Sequence, residues 1–439
     1  MNRATLQAAL AALFVSTPVF GSTQRPAPPQ SGVVALVGGT VHTVSGDDLP
    51  GGTVVFEGGR ITALGRDVEV PHGAQVVDVS GRHVYPGLIN AYTSVGLTEV
   101  GSVRGTVDQS ETGRINPNVR AEVSVNPESE IIPVTRANGI ALALAAPSGG
   151  TLCGRSALLR LDGWTWEDMT YKAPVALHVD WPAMTISTSR YARRSEEEQK
   201  QEREQSLAAL DLAFSQARAY GAARSDANSG LPTDLRWEAM QPALKGELPV
   251  MVLANSLQEI QAAVGWAALW NLKLILVGGA DAWLTTGLLA EHDVPVIITG
   301  ALRMPARRGD PYDAPFALAA KLYEAGVKFC ISSTGSWSGE GDASNARNLP
   351  YEAAKAAAYG LPKSEALRSV TLYPARILGV ADRVGSLEVG KDATIMVTDG
   401  DPLEVSTQVE QLYIEGRRID LSSRHTQLYE KYRSKYSGR

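Results

Sequence analysis

The sequence predicts an α/β fold: a (β/α)8 TIM-like barrel with a small discontinuous β-sandwich domain built from both ends of the mature chain. Between residues 84 and 378, apolar strand-like runs alternate with helical segments. Strands that are apolar on both faces are typical of a parallel sheet covered by helices. Short β-branched runs flank this region at residues 33–83 and 379–420, so the two flanks are expected to share one core. A chain of 439 residues suits a barrel with an accessory domain.

The central region supplies the individual strands and helices of this prediction. Strands are predicted at residues 140–145, 175–178, 250–254, 272–277, 294–299 and 328–332. Helices are predicted at residues 257–269, 282–291, 314–325 and 351–359. An open doubly wound sheet is the alternative, but no Gly-x-Gly-x-x-Gly turn follows a strand, which weakens its dinucleotide-binding form.

The first residues are typical of an export signal. Arg3 supplies the positive charge, and residues 6–15 form an apolar run too short to span a membrane. Val19 and Gly21 suit the small positions before a cleavage site near Ser22. We therefore expect a periplasmic or secreted protein with no membrane span in the mature chain. A buried N-terminal helix is the alternative.

The chain divides into six predicted segments. These are a signal peptide at 1–21, a tail at 22–32, the N-terminal half of the β domain at 33–83, the barrel at 84–378, the C-terminal half of the β domain at 379–420 and a C-terminal tail at 421–439.

Charge and cysteine content restrict the partners and the redox chemistry. The formal net charge is −6, which argues against nucleic acid or an anionic membrane as a partner. Cys330 lies in an apolar run and is predicted to pack in the core. Whether Cys153 and Cys330 form a disulfide stays open.

One helical segment is unusually polar. Residues 195–204 are almost wholly charged or polar, and residues 207–219 continue the segment amphipathically. A solvated helix inserted between barrel strands is the favoured interpretation, and a partner-binding helix is the alternative.

Three motifs follow one another in the chain. They are YPGLINA at residues 85–91, NLPYEA at 348–353 with VTLYPARILG at 370–379, and GSLEVGKDAT at 385–394. Together they resemble the amidohydrolase superfamily, and most closely its imidazolonepropionase-like branch, over residues 33–417. The resemblance implies a barrel that hydrolyses non-peptide C–N bonds with zinc or another divalent metal at the C-terminal ends of its strands.

The metal ligands that the resemblance implies are missing from this sequence. The family uses a His-x-His pair after strand one, further His residues on strands five and six, and an Asp on strand eight. The corresponding positions hold Tyr92 and Ser94, then Leu253, Gly278 and Thr334, or Ser333 if the last register shifts by one. No cofactor is therefore predicted.

A count of histidines supports this prediction without depending on register. The six are His42, His72, His83, His178, His292 and His425. Only His178 is placed to approach the barrel mouth. A satisfied core or loop histidine is favoured there over a metal ligand.

Polar residues at predicted strand ends define a candidate pocket. Such positions normally line the ligand site of a barrel. The candidates are Tyr92, Ser94, His178, Asn255, Asp281, Arg303, Ser333, Thr334 and Trp337. A binding pocket and a collapsed mouth whose polar groups satisfy one another are both left open.

Other hydrolytic chemistries have weaker support. A Ser-His-Asp arrangement would have to draw on His178, and no Gly-x-Ser-x-Gly turn is present. A glycosidase-like carboxylate pair would have to come from Glu99, Glu122, Asp180 or Asp281. No catalytic residue is assigned.

The sequence thus predicts an exported, non-catalytic protein of this family. It would bind a small molecule or act as the partner of a metal-bearing homologous subunit, with a homo-oligomer as a further arrangement. The alternative is an active hydrolase of C–N bonds, in amides or cyclic amides, with an atypical or metal-free site.

Overall fold

A computed structural model describes residues 25–189, 192–225, 230–333 and 343–438. The predicted signal peptide lies outside these residues, as do Thr334 and Trp337. The described residues form a mixed α/β fold, which confirms the predicted class at that level. None of their helices is both long enough and apolar enough to cross a membrane.

The described strands run in this chain order: β1 (Val34–His42), β2 (Asp48–Glu57), β3 (Arg60–Gly65), β4 (Gln75–Asp78), β5 (His83–Pro86), β6 (Leu88–Thr93), β7 (Ile140–Ala145), β8 (Leu152–Arg155), β9 (Ala157–Arg160), β10 (Thr170–Lys172), β11 (Leu177–Asp180), β12 (Val250–Ala254), β13 (Leu274–Gly278), β14 (Val296–Thr299), β15 (Phe329–Ser332), β16 (Ile395–Thr398), β17 (Val409–Ile414) and β18 (Arg417–Arg418).

The described α-helices are α1 (Ile131–Arg136), α2 (Trp166–Met169), α3 (Glu196–Arg224), α4 (Leu235–Leu244), α5 (Leu257–Trp270), α6 (Thr286–Glu291), α7 (Ala314–Glu324), α8 (Leu349–Ala358), α9 (Lys363–Arg368), α10 (Leu372–Ile377) and α11 (Arg424–Tyr436). Short 3-10 turns lie at Arg104–Thr106, Ala121–Ser124, Ala282–Leu284 and Ala343–Asn348.

Strands from both ends of the chain share one eight-stranded sheet. Its order is β18-β17-β16-β5-β1-β2-β3, and β4 pairs in parallel with β1. The junction is the antiparallel pair of β5 and β16, in which Ile395 lies opposite Pro86. The β2–β3 hairpin turns at Gly58 and Gly59, whose φ angles of 56° and 81° suit glycine in a two-residue turn.

Two further sheets form the centre of the molecule. Strands β11 to β15 run parallel, with β8 antiparallel at the edge of this sheet. Strands β6 and β7 run parallel in a second sheet with β9 and β10. The two sheets meet at β6 and β15, where the Tyr92 N–H donates to Ser332 Oγ at 3.2 Å. The first and last of the parallel strands therefore lie side by side.

The helix predicted at residues 282–291 is divided in the structure, whereas the helical segment predicted from residue 195 to 219 is continuous, as expected. Residues 282–291 form a 3-10 turn followed by α6, because Thr285 leaves the helical conformation and its hydroxyl donates to the Ala282 carbonyl. The polar segment 195–204 and the amphipathic segment 207–219 form one helix, α3. It begins with a capping box between Ser195 and Glu198.

A buried ion pair connects distant regions of the chain. Asp162 accepts from the guanidinium groups of Arg136 and Arg417, each at 2.9 Å, and from the Ala27 N–H at 3.1 Å. The side chains of Asp162 and Arg136 are 1% and 5% exposed. Burial raises the pKa of Asp162 although two guanidinium groups act against that rise. The carboxylate thus holds the N-terminal segment, α1 and β18 together.

We expect Asp162→Ala to lower the free energy of unfolding by about 3 kcal/mol, because it leaves Arg136 buried without its carboxylate. Urea denaturation measures this loss. The matched control is Asp67→Ala, at an exposed position, which should change stability by less than about 0.5 kcal/mol. Equal losses in the two variants would contradict a structural role for the ion pair.

Candidate functional site at the carboxyl ends of the strands

The seam between β6 and β15 is closed by a network of neutral side chains. Asn90 Oδ1 lies 2.6 Å from Ser332 Oγ, which is also 2.7 Å from the Tyr92 carbonyl oxygen. Asn90 Nδ2 donates to Ser333 Oγ at 2.6 Å, and the Ser333 hydroxyl donates to the Ala346 carbonyl at 2.9 Å. Asn90, Ser332 and Ser333 are all buried. Both oxygen and nitrogen of the buried amide are thus paired.

Tyr92 lies near the end of β6, where the pairing of β6 with β7 is irregular between Asn90 and Thr93. The Tyr92 ring is tilted against the His178 ring, with centroids 5.9 Å apart. Tyr92 and His178, both predicted site residues, therefore meet at the carboxyl ends of β6 and β11.

His178 lies in the core, as the favoured interpretation of the sequence has it, but one of its ring nitrogens lacks a hydrogen bond in the part of the chain that the structure describes. Its side chain lies in the core, and its Nε2 has no hydrogen-bond partner among the described residues. Burial lowers the pKa of His178 to about 3. The imidazole is therefore neutral at ordinary pH. No carboxylate among the described residues holds it in the charged form.

Asp180 and Cys153 form a second buried polar contact beside Tyr92. Asp180 accepts the Gly149 N–H at 3.1 Å and a hydrogen bond from the Cys153 thiol. Burial raises the pKa of Asp180, and burial also raises the pKa of Cys153. A thiol held in its protonated form is a poor nucleophile. Cys153 and Cys330 are both free cysteines, and Cys330 is buried as predicted.

The next two predicted ligand positions offer no donor atom to a metal. Leu253 on β12 is a half-buried aliphatic side chain. Gly278 ends β13 at φ 93°, and a Cβ added there would lie 2.5 Å from Asn255 Oδ1. Within residues 25–333 and 343–438, apart from the short gaps, no three His, Cys, Asp or Glu side chains converge as a metal site requires. These residues do not fit the zinc site that the resemblance implies.

Charged side chains at the edge of the candidate site form hydrogen bonds and ion pairs within the protein. Asp281 is buried and accepts two hydrogen bonds from Arg307, at 2.6 and 2.7 Å, together with the Leu257 N–H. Burial lowers the pKa of Arg303, against the opposing effect of Asp281 and Glu352. Burial also raises the pKa of Glu352 to about 7. Its carboxylate accepts the Leu302 N–H at 2.7 Å, which holds the loop after β14.

The other residues predicted for the site lie apart from the contacts described above. Ser94 is buried just after β6, where its carbonyl accepts the N–H groups of Leu97 and Thr98. Asn255 follows β12, and its carbonyl accepts the Asp281 N–H at 2.8 Å. Thr334 and Trp337 fall outside the described residues. The sequence patterns assign no site role to Asn90 and Ser332, because their pairing depends on which strands become neighbours.

Comparison with known proteins identifies the lineage of this fold. A sequence model described as the Amidohydrolase family matches residues 316–419. Amidohydrolase tasK of Hapsidospora irregularis is 27% identical over 402 residues, which cover 83% of this chain and 39% of the relative. The chain is thus similar to amidohydrolases, in its carboxyl-terminal part by the family model and over most of its length by this relative. It spans about two-fifths of the length of that relative.

Solved structures are similar to this chain in their fold. An amidohydrolase from Thermotoga maritima MSB8 superposes with a TM-score of 0.77 at 24% identity, covering 88% of this chain and 99% of the other. An adenosine deaminase from Xanthomonas campestris with bound zinc gives a TM-score of 0.51 at 20% identity, covering 93% of this chain and 98% of the other. These likenesses show that the chain shares the fold of those proteins.

The buried imidazole predicts a specific dependence of stability on pH. An unfolded histidine takes up its proton near pH 6.5, whereas folded His178 does so only near pH 3. The contribution of the neutral His178 imidazole to the free energy of unfolding is fully present above about pH 6.5. It decreases as the pH drops toward 3, by up to about 1.4 kcal/mol per pH unit.

His178→Gln should therefore flatten the fall in unfolding free energy between about pH 6 and 4.5, measured by urea denaturation at each pH. The exposed His72→Gln variant is the control and should keep the slope of the unchanged protein. A His178→Gln variant with that same slope would refute the burial argument.

Removal of the buried amide should destabilise the seam. We expect Asn90→Ala to cost about 2 kcal/mol in unfolding free energy, because it removes the buried amide's hydrogen bonds to Ser332 and Ser333 and leaves a space in the seam. Asn116→Ala removes a single amide contact to the Gly113 carbonyl near the surface and should cost less than about 0.5 kcal/mol. Thermal and urea unfolding would show no difference between the variants if the network were incidental.

Proposed function

We propose that this chain is an exported, non-catalytic member of the superfamily, closest to the imidazolonepropionase-like branch. One observation carries the proposal: Asn90, Ser332 and Ser333 fill the seam between β6 and β15 with paired neutral groups. A catalytic zinc site needs imidazole, thiolate or carboxylate ligands around an open position. Among the residues that the structure describes, the seam offers amide and hydroxyl groups there.

The contact between β6 and β15 also supports a closed arrangement of strands. We propose that the two central sheets together form the (β/α)8 barrel, and that the sheet built from both chain ends forms the β-sandwich domain. In such a barrel, the residues around Tyr92 and Ser333 lie at the C-terminal face, where barrel enzymes carry their active sites.

The role we propose is that of partner to a metal-bearing homologous subunit. The unmatched portion of the tasK relative is longer than the portion that matches this chain. That length leaves room for a second region of similar size in the same polypeptide. Two chains that associate would reproduce such an arrangement, with the catalytic metal supplied by the other subunit. Export would follow from the signal expected at residues 1–21.

A second candidate role is the binding of a small polar ligand at the mouth. His178 Nε2 is buried without a partner among the described residues, and an unpaired buried nitrogen costs free energy. A ligand that donates a hydrogen bond to this nitrogen would recover that cost. This role is compatible with the partner role because neither needs a metal in this chain.

Elemental analysis and turnover measurements test the non-catalytic assignment. The purified mature chain should hold far less than one zinc ion per molecule after incubation with zinc and removal of excess metal. It should show no turnover of amide, imide or cyclic amide substrates above background, with or without added divalent metal. Stoichiometric zinc or metal-stimulated turnover would favour the alternative, an active hydrolase of C–N bonds.

Co-expression tests the partner assignment separately. The chain would be produced together with each metal-bearing homologue from the same organism and examined by size-exclusion chromatography. We expect one stable hetero-complex whose turnover exceeds that of the homologue alone. The control is the same homologue with its metal ligands replaced, which should still associate but remain inactive. Failure of every homologue to associate would overturn the partner role.

A further inference from the structure

A large cavity opens at the opposite end of the strands from the candidate site. Its volume is about 1030 Å³, and it crosses the amino-terminal ends of β11 to β15. Its floor includes the buried apolar side chains of Val175, Leu274, Val294 and Phe329. Helices α5 and α10 form walls of the cavity. Ligand pockets in proteins commonly have volumes of about 300–1,000 Å³, so this cavity is large enough to hold a small molecule.

Cationic side chains are concentrated at the rim of this cavity. Of the described residues, Lys172, Lys273, Lys328 and Arg376 are the cations in its lining, and Glu247 and Asp293 are the carboxylates. One carboxylate, Asp293, is already paired with Lys328 at 2.7 Å. The cavity therefore carries a local excess of positive charge in a chain whose net charge is −6.

Lys172 is the best placed of these cations to bind a ligand. Its side chain is half-buried, and Nζ donates to the carbonyl oxygens of Leu378 and Gly379 at 2.9 and 3.1 Å. An ammonium group has three N–H donors, so one remains for a ligand in the cavity. Burial lowers the pKa of Lys172, and an anion beside it would offset that effect.

We propose that this cavity binds an amphipathic monocarboxylate, with its apolar body on the floor and its carboxylate beside Lys172 and Arg376. The apolar floor argues against a small inorganic anion, which would leave that surface exposed to water. The excess positive charge argues against a neutral apolar ligand. The site lies away from the mouth near Tyr92, so the proposal stands independently of the metal question and of the partner role.

Decanoate is a suitable test ligand because it combines a ten-carbon body with one carboxylate. Isothermal titration calorimetry on the mature protein should show one binding site for decanoate. 1-Decanol, which lacks the charge, should bind at least about tenfold more weakly. Acetate, which lacks the apolar body, should show no binding at the same concentrations. Equal affinity for decanoate and 1-decanol would overturn the assignment of the cations.

Variants locate the binding site within the cavity. Lys172→Met should weaken decanoate binding at least about tenfold, and Lys172→Arg should recover some of the lost affinity. Ala268→Trp, at an exposed position of α5 that lines the cavity, should block binding by filling the space. Lys200→Met on the exposed surface of α3 is the control and should bind as the unchanged protein does.

Lys172 also holds two backbone carbonyls, so its replacement could reduce stability. Arg376→Gln removes an exposed positive charge at the rim of the cavity and leaves the Lys172 hydrogen bonds to the backbone in place. It therefore tests the role of charge in binding separately from stability. It should weaken decanoate binding but leave 1-decanol binding unchanged. Unchanged decanoate affinity in folded Arg376→Gln and Ala268→Trp, with folding checked by circular dichroism, would overturn the proposal.

Discussion

The amide of Asn90 is the interaction on which the candidate site depends. It joins β6 to β15, two strands separated by about 240 residues of sequence, and pairs with Ser332 and Ser333. Amides and hydroxyls can be buried at low cost when every group is paired, whereas an unpaired charge cannot. The seam is therefore stable without an ion. The same pairing leaves no ligand there that a divalent metal would favour.

Charged groups are distributed differently at the two ends of the central strands. Around Tyr92, burial opposes the charged form of each neighbouring group, namely His178, Asp180 and Cys153. Further out, Asp281 is neutralised by Arg307. An excess of positive charge is concentrated instead at the other end of the strands. The two ends therefore suit different chemistry: neutral hydrogen bonding at the carboxyl ends and attraction of anions at the amino ends.

Local sequence patterns were sufficient to predict much of the fold but little of the site. The apolar run at Ile140–Ala145 forms a strand with the predicted bounds, because its signal is contained within six adjacent residues. The prediction that metal ligands are missing rests on the first motif, in which Tyr92 and Ser94 stand where the resemblance implies a histidine pair. The pairing of Asn90 with Ser332 could not be predicted, because it depends on which strands become neighbours. The same holds for the contact of Arg307 with Asp281.

Gly278 bears on how this site could change over evolution. Its backbone lies in the left-handed region, and a side chain there would meet Asn255. A histidine at position 278 would therefore strain the backbone before it could gain a metal, and it would still lack a partner imidazole at Leu253. A metal site at this point would therefore need several coordinated changes, at position 278, at Asn255 beside it and at Leu253.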